Sequence, residues 1–389
     1  MLFRSTYDFW IIKLNVLGNV VWNKLLGGNN DEIPSCINQT TDGGYIVAGT
    51  SFSSANGDVT GTSHGQGEYW IVKLDANGNI TWNKLLGGNG GELAGSIQQT
   101  TDGGYIITGI SNSSANGDVT GTNHGGLYDC WVVKLDATGN IVWNKLLGGN
   151  GEDDVEKILQ TADGGYIAAG STNSSANGDV TGTNHGAMGS HDFWIIKLDA
   201  GGNITWNKLL GGNDYDYLYS IQQTTDGGYI AAGPSYSSAN GDVTGTSHGN
   251  YDYWIVKLDA AGNITWNKLF GASLDEIAFN IKQTPDGGYI VAGSSNSSAN
   301  GDVTGTSHSP GASDYWVVKL NSLGTILWNK LLGGSNFDDA PGIQLTTAGG
   351  YILTGHSNSS ATGDVTGVTH GNTDFWIIKL DAFGNIIYQ

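Results

Sequence analysis

The side chains best suited to metal chemistry are six aspartates at the same place in a repeated loop, first seen as Ser53–Gly61 with the sequence Ser-Ser-Ala-Asn-Gly-Asp-Val-Thr-Gly. They are Asp58, Asp118, Asp179, Asp242, Asp302 and Asp364. Carboxylate, amide and hydroxyl oxygens are the ligands of hard cations, but Ca²⁺ takes about six to eight of them. Asn-Gly-Asp is equally the chemistry of a tight turn whose aspartate accepts backbone amide hydrogen bonds. The sequence leaves Ca²⁺ open as a cofactor and favours a structural turn.

A histidine follows each of these loops, at His64, His124, His185, His248, His308 and His370. Six equivalent imidazoles could form a ring of metal ligands or proton carriers. No second ligand type accompanies them at a fixed spacing, so hydrogen bonding within the loop is the preferred interpretation.

Tyrosines concentrate around one copy of the repeat. Exposed aromatic rings beside carboxylates suit stacking against sugar rings or peptide. The predicted ligand-binding residues are Tyr215, Asp216, Tyr217, Tyr219, Tyr236 and Tyr251. Tyrosines scattered over the surface of a tyrosine-rich chain are the competing interpretation.

No group of residues predicts catalysis. The adjacent acids Asp153/Asp154 and Asp338/Asp339 could perform acid–base chemistry, but such pairs are usually solvated loop charges. The chain has no Gly-x-Ser-x-Gly elbow, phosphate-binding loop or zinc motif. No catalytic residue is assigned.

These residues are carried by a repeat that recurs every 60 to 63 residues, as the first tryptophan of each copy shows. Those tryptophans are Trp10, Trp70, Trp131, Trp194, Trp254, Trp316 and Trp376. Each copy contains four apolar runs, which we name strands A to D, separated by Gly-, Asn- and Asp-rich turns. In one copy they lie near 96–100, 105–109, 130–136 and 141–147. The pattern predicts an all-β protein, a β-propeller of four-stranded antiparallel blades.

The motifs Gly-Gly-Tyr-Ile, Trp-Ile-Val-Lys-Leu-Asp-Ala-x-Gly-Asn-Ile-x-Trp and Leu-Leu-Gly-Gly-Asn resemble those of bacterial surface proteins built from SBBP-type β-propeller repeats. They are more distantly similar to quinoprotein-type and kelch propellers. The resemblance extends over nearly the whole chain. It implies a propeller fold and leaves the activity open.

The number of blades is ambiguous because there are seven C strands and six B strands. We expect a single propeller domain over residues 1–389, with six complete blades at 33–389 and a lone C–D hairpin at 8–28. Seven blade positions with one incomplete are preferred, on the interpretation that the chain lacks its start. Six blades with a surplus hairpin are the alternative.

The loops of an up-and-down blade divide between two faces. The A→B and C→D turns are nearly the same in every copy, whereas the D→A and B→C loops hold almost all the variation, for example at 29–32, 151–154, 214–217 and 337–339. Ligand binding therefore belongs on the D→A and B→C face. The recurring strand-D tryptophan is expected to be buried between blades, and the recurring lysines to pair with neighbouring aspartates.

Composition narrows the function further. A net charge of −20, from 36 acidic and 16 basic residues, argues against binding nucleic acid. No apolar run is long enough to span a bilayer. The preferred function is a non-enzymatic binding or adhesion module of a secreted or cell-surface protein, part of a larger one, that engages glycan or protein through the variable loops. The alternatives are a propeller enzyme (a lyase, lactonase or glycoside hydrolase) with acids in its central channel, and a structural spacer.

Overall fold

The computed structural model describes residues 7–187, 189–309 and 311–389. Over these residues the protein contains 26 β-strands, which form six four-stranded antiparallel sheets and one two-stranded sheet. Each four-stranded sheet uses consecutive strands in chain order, as a propeller blade does. In the same ranges no helix is long and apolar enough to cross a membrane. The predicted all-β propeller of four-stranded antiparallel blades is confirmed.

The two-stranded sheet consists of β1 (Phe9–Leu14) and β2 (Val20–Leu26). Blades 1 and 2 consist of β3 (Glu32–Gln39), β4 (Tyr45–Ser51), β5 (Glu68–Leu74), β6 (Ile80–Leu86), β7 (Glu92–Gln99), β8 (Tyr105–Ser111), β9 (Asp129–Leu135) and β10 (Ile141–Leu147). Blades 3 and 4 consist of β11 (Asp153–Gln160), β12 (Tyr166–Thr172), β13 (Asp192–Leu198), β14 (Ile204–Leu210), β15 (Ser220–Gln223), β16 (Tyr229–Ser235), β17 (Asp252–Leu258) and β18 (Ile264–Phe270). Blades 5 and 6 consist of β19 (Glu276–Gln283), β20 (Tyr289–Ser295), β21 (Asp314–Leu320), β22 (Ile326–Leu332), β23 (Asp338–Leu345), β24 (Tyr351–Ser357), β25 (Asp374–Leu380) and β26 (Ile386–Tyr388).

The structure corrects the preference for seven blade positions. The described residues form six complete blades, as the alternative had it, and the predicted hairpin is a separate two-stranded sheet. The hairpin nevertheless packs on blade 1 as strands C and D of one blade pack on the next. The Phe9 ring lies 4.7 Å from the Trp70 ring, and the Trp22 ring 5.6 Å from the Tyr45 ring.

The chain forms two compact units, one of residues 1–183 with 194–209 and the other of residues 184–193 with 210–389. The first holds the hairpin, blades 1 and 2 and most of blade 3, and the second holds blades 4 to 6. The single domain over 1–389 stays a prediction.

In blades 1 to 5 the fully buried tryptophan lies on strand C, not on strand D, and in blade 6 the strand-C Trp376 is 6% exposed. Trp131 is fully buried against Tyr69 of the preceding blade, with ring centroids 4.8 Å apart. The strand-D Trp82 is only half-buried and meets Tyr105 of the next blade edge to face at 5.6 Å. The strand-C tryptophan is more buried because strand C is paired on both sides, whereas strand D is the last strand of its sheet.

Strand A begins earlier than predicted, since β7 starts at Glu92 and not near Ser96. Acids assigned to the D→A loops are therefore the first residues of strand A in five blades, and each is fully buried: Glu32, Glu92, Asp153, Glu276 and Asp338. In blade 4 the corresponding Asp216 bridges to Ser235 and is also fully buried.

The predicted lysine–aspartate pairs are present on strand C, whereas the strand-D lysines Lys24, Lys84 and Lys145 donate instead to asparagine side chains. Lys197 Nζ lies 2.9 Å from Asp163 Oδ2, and equivalent pairs join Lys73, Lys134, Lys257 and Lys319 to the aspartates of the A→B turns. Hydrogen bonds from Thr161 and Lys197 lower the pKa of Asp163 to about 2. The pairs hold each A→B turn against strand C.

Candidate functional site

A group of aromatic side chains lies where the D→A loop meets the first strand of blade 4. The rings of Tyr215 and Tyr217 are nearly parallel, with centroids 6.0 Å apart and planes at 13°. The His191 ring, at the end of the preceding B→C loop, lies 5.2 Å from the Tyr217 ring. A hydrogen bond from the Asp216 amide to the His191 carbonyl oxygen, 2.7 Å long, fixes the two loops side by side.

A second aromatic pair adjoins the first on the B→C loop of blade 4. Tyr236 and Tyr251 meet edge to face at 5.2 Å, and the Tyr236 amide donates to the Tyr215 carbonyl oxygen at 2.8 Å. Burial, and then the charge of Asp275 and the neighbouring Tyr215, raises the pKa of Tyr251. We call these five residues the aromatic patch: His191, Tyr215, Tyr217, Tyr236 and Tyr251. Tyr215 is 40% exposed and Tyr236 is 42% exposed.

Two of the predicted ligand-binding residues, Asp216 and Tyr219, do not belong to the aromatic patch. Asp216 is fully buried, and its Oδ2 accepts hydrogen bonds from the Gly212 amide at 2.7 Å and the Ser237 hydroxyl at 3.0 Å. Its carboxylate therefore holds the loop that carries Tyr215 and Tyr217 in place and is not exposed to a ligand. Tyr219 stacks on Phe279 of blade 5 at 5.8 Å. His191 was missed as a site residue, although it stands in one of the variable B→C loops.

The repeated Asn-Gly-Asp loops clamp the B→C loop to the D→A turn. In blade 4 the Asp242 amide donates to the Gly211 carbonyl oxygen at 2.8 Å, and the Gly211 amide donates to Asp242 Oδ2 at 3.3 Å. The same reciprocal pair is formed by Asp58, Asp118, Asp179, Asp302 and Asp364. Each of the six carboxylates thus has the structural role that the turn interpretation gives it.

The recurring histidines contact the first residue of strand C. His124 Nδ1 lies 2.7 Å from Asp129 Oδ2, and His185 and His248 make the same contact with Asp192 and Asp252. The other ring nitrogen of His124 lies 3.5 Å from Asp179 of the next blade. These histidines therefore form hydrogen bonds with the acid at the end of their own loop, and His124 also lies close to the carboxylate of the next loop.

Each junction between blades also buries two carboxyl groups, one from the start of strand C and one from the start of strand A. In Asp129, Asp192, Asp252 and Asp314 the Oδ1 atom is buried and has no hydrogen-bond partner. Burial raises the pKa of Asp314 to about 6 and that of Asp216 to about 7. We call these acids the junction carboxyls.

Calcium is not expected to stabilise the protein. Across residues 7–187, 189–309 and 311–389 no group of three or more His, Cys, Asp or Glu side chains is arranged to hold a metal ion. The Asp58-type carboxylates already accept backbone hydrogen bonds. We expect the same Tm in millimolar CaCl2 and in EDTA, measured by differential scanning fluorimetry. A rise with CaCl2 that EDTA reverses would contradict this and assign a cation to those loops.

The adjacent acids considered for acid–base chemistry do not share a site. Asp153 is fully buried and accepts a hydrogen bond from the Gly149 amide at 2.7 Å, whereas the next residue, Asp154, is exposed on the other face of β11. Asp338 and Asp339 divide in the same way, since Asp338 is buried and Asp339 lies 3.6 Å from His356.

Comparisons with known proteins give information about the fold but not about the function. No family model matches the chain, so the likeness to SBBP-type repeats stays a prediction. The chain is 23% identical over 263 residues to the regulatory protein FlaEY of Caulobacter vibrioides, covering 66% of this chain and 26% of that protein. It therefore spans about a quarter of the length of this curated relative.

Among solved structures, a protein of unknown function from Dyadobacter fermentans is similar at 12% identity and a TM-score of 0.48, covering 96% of this chain and 97% of that one. A mutant of puromycin hydrolase is similar at 10% identity and a TM-score of 0.50, covering 94% of this chain and 48% of that one. At such identities the likeness concerns the fold alone.

Proposed function

We propose that this protein is a non-enzymatic binding module of a secreted or cell-surface protein, and that it binds glycan through the aromatic patch. The observation that carries the proposal is that the patch breaks the symmetry of the repeat. Where blade 4 has Tyr215, blades 1, 2 and 3 have Asp31, Gly91 and Glu152. Blade 5 has Asp275 there and blade 6 has an aromatic residue, Phe337, but the group of four tyrosines with His191 is found only around the loops of blade 4 among the described residues.

The geometry of the patch suits a sugar ring. Parallel, half-exposed Tyr215 and Tyr217 offer flat apolar faces against which the C–H face of a pyranose stacks. Asp214 lies beside them in the same loop, and Asp275 lies near Tyr251, so carboxylate oxygens stand at the edge of the patch for sugar hydroxyls. The hydrogen-bonded loops hold these groups in place before a ligand arrives.

The two alternatives have less support. A propeller enzyme would need paired acids that face one accessible site. The adjacent acids point to opposite faces of their strands, and the junction carboxyls that face each other, such as Asp314 and Asp338, are fully buried. A pure spacer gives no reason for aromatic residues to concentrate on the loops around one blade.

Glycan-array screening followed by calorimetric titration of the best ligand tests the proposal. Tyr215→Ala and Tyr217→Ala are each expected to weaken binding by roughly tenfold or more, since a central aromatic contact contributes about 1–2 kcal/mol or more. Tyr215→Phe should retain most of the affinity because it keeps the ring.

The matched control is Leu127→Ala, an exposed residue in the B→C loop of blade 2, which should bind like the wild type. An array without any ligand, or equal losses in Leu127→Ala and Tyr217→Ala, would contradict the proposal. Turnover of a lactone or polysaccharide would replace it with the enzyme alternative, and capture of a protein ligand through the patch would replace glycan with protein.

A further inference from the structure

The D→A and B→C loops carry acids and neither lysine nor arginine in the part of the chain that the structure describes. Of the 16 basic residues, Arg4 lies outside the described residues and all the others are lysines within strands. Acids stand in the same loops, for example Asp31, Asp214 and Asp275. The loops that surround the aromatic patch are therefore negatively charged, and they attract a cationic ligand and repel an anionic one.

Two of these acids adjoin the aromatic patch. Asp214 directly precedes Tyr215, and Asp275 Oδ1 accepts a hydrogen bond from the Tyr251 amide at 3.4 Å. Burial is the main cause of the raised pKa of Tyr251, and the charges of Asp275 and Asp214 add to it, so both carboxylates lie near its ring. Both aspartates are partly exposed and can be reached by a ligand.

These two carboxylates differ from the aspartates of the A→B turns in having no cationic partner. In blade 4, Lys257 Nζ lies 2.8 Å from Asp226 Oδ2, and the other A→B turns that contain an aspartate have the same kind of pair in blades 1, 2, 3 and 5. Over the described ranges no basic side chain pairs with Asp214 or Asp275. A positive charge at the patch would therefore have to come from the ligand.

We infer that the aromatic patch selects glycans that carry protonated amino groups, such as polymers of glucosamine, over neutral and acidic glycans. The sugar ring stacks on a tyrosine, while its ammonium group pairs with Asp214 or Asp275 and is attracted to the neighbouring rings. An acidic sugar lacks this attraction, because no lysine or arginine in these loops can receive its carboxylate. The inference rests on the proposed glycan binding and names its substrate class.

Three oligosaccharides of equal length test the selectivity. Oligomers of chitosan, chitin and cellulose share one backbone and differ in one substituent of each ring, which is a protonated amine, an N-acetyl group or a hydroxyl. We expect the chitosan oligomer to bind roughly tenfold or more tightly than the other two in calorimetric titration. Its affinity should fall as NaCl is added, whereas that of the cellulose oligomer should not. All are titrated in one buffer, so that any charge on His191 is the same for each.

Neutral variants of the two aspartates locate the charge that selects the amine. Asp214→Asn and Asp275→Asn keep the shape of the side chain, and each should weaken binding of the chitosan oligomer by roughly threefold to tenfold. Binding of the cellulose oligomer should stay the same in both. The matched control is Asp154→Asn, which removes one negative charge from the exposed face of β11 and should bind all three oligomers like the wild type.

The outcomes separate this inference from the proposed function. Equal binding of the three oligomers, a best array ligand without a free amine, or unchanged binding in both aspartate variants overturns the inference. If Tyr217→Ala still weakens the binding that is seen, glycan binding through the patch stands without this selectivity. Displacement of the chitosan oligomer by an equal concentration of a lysine-rich peptide also overturns the inference, because positive charge alone, and not an amino sugar, would then be selected.

Discussion

Replacing Gly109 by alanine is expected to lower the free energy of unfolding by about 3 kcal/mol or more. A Cβ at this position would overlap the Leu93 carbonyl oxygen and lie 2.7 Å from the Tyr69 hydroxyl and 2.8 Å from the Gly95 amide nitrogen. Two of these neighbours are backbone atoms of strand A, and the third belongs to a fully buried side chain of the preceding blade. None can move without separating strands or blades. Urea denaturation followed by tryptophan fluorescence measures the loss.

Gly91→Ala is the control for this substitution. A Cβ on Gly91 meets no atom within 4 Å, and the equivalent position in blade 4 already holds Tyr215. Its free energy of unfolding should stay within about 0.5 kcal/mol of the wild type. If Gly109→Ala were as stable as Gly91→Ala, the close packing of strand B between its neighbours would be wrong.

Sequence reasoning predicted those parts of the structure that depend on local chemistry. Strand C and the tight turns follow from motifs that are complete within a short stretch, such as Trp-Ile-Val-Lys-Leu-Asp. The lysine–aspartate pairs join residues farther apart, such as Lys73 and Asp42, and were predicted because the lysine recurs in every unit. The tyrosines of the aromatic patch were also found, because they stand out against the repeat. These predictions need only the order of residues along one blade.

The parts that were wrong or missed depend on residues far apart in the sequence. Asp153 was taken as a loop residue because it follows Gly-Gly-Asn-Gly-Glu, but the Ser174 hydroxyl, from the B→C loop of the same blade, and the Gly149 amide hold it in the core. Likewise the strand-D tryptophan was expected to be buried, while sheet order gives full burial to strand C. His191 was missed because its role comes from the loop that packs beside it.

The junction carboxyls predict an unusual dependence of stability on pH. Asp314 is fully buried and its pKa is about 6, above the value of 3.8 for an unperturbed aspartate. Burial is the main cause, and the charge of Asp338 adds to it. Because the folded state holds this proton more tightly than the unfolded state, its contribution to stability is complete below about pH 4. It is lost as the pH rises to about 6, by up to about 3 kcal/mol.

Asp314→Asn should remove this loss. Asp314 Oδ2 accepts a hydrogen bond from the His308 amide at 3.2 Å, which the asparagine oxygen can also accept. Asp314 Oδ1 has no hydrogen-bond partner, and a Cβ at Gly333 would lie within 3 Å of both this atom and Asp338 Oδ2, so the two oxygens lie near the same point. A neutral asparagine amide there removes the repulsion between the two carboxylates. We therefore expect Asp314→Asn to be more stable than the wild type at pH 8 and about equally stable at pH 4.

Asp286→Asn is expected to change the pH dependence of stability in the opposite direction. Hydrogen bonds from Thr284 and Lys319 outweigh partial burial and lower the pKa of Asp286 to about 2, so its contribution to stability is present above about pH 4 and disappears as the pH falls to 2. Asp286→Asn should be less stable than the wild type at pH 8, with a deficit that shrinks in acid. Urea midpoints measured from pH 3 to pH 8 separate the two variants. An Asp314→Asn variant that is less stable than the wild type at pH 8 would mean that the Asp314 carboxylate is stabilised in the folded state, and the account of the junction carboxyls would be wrong.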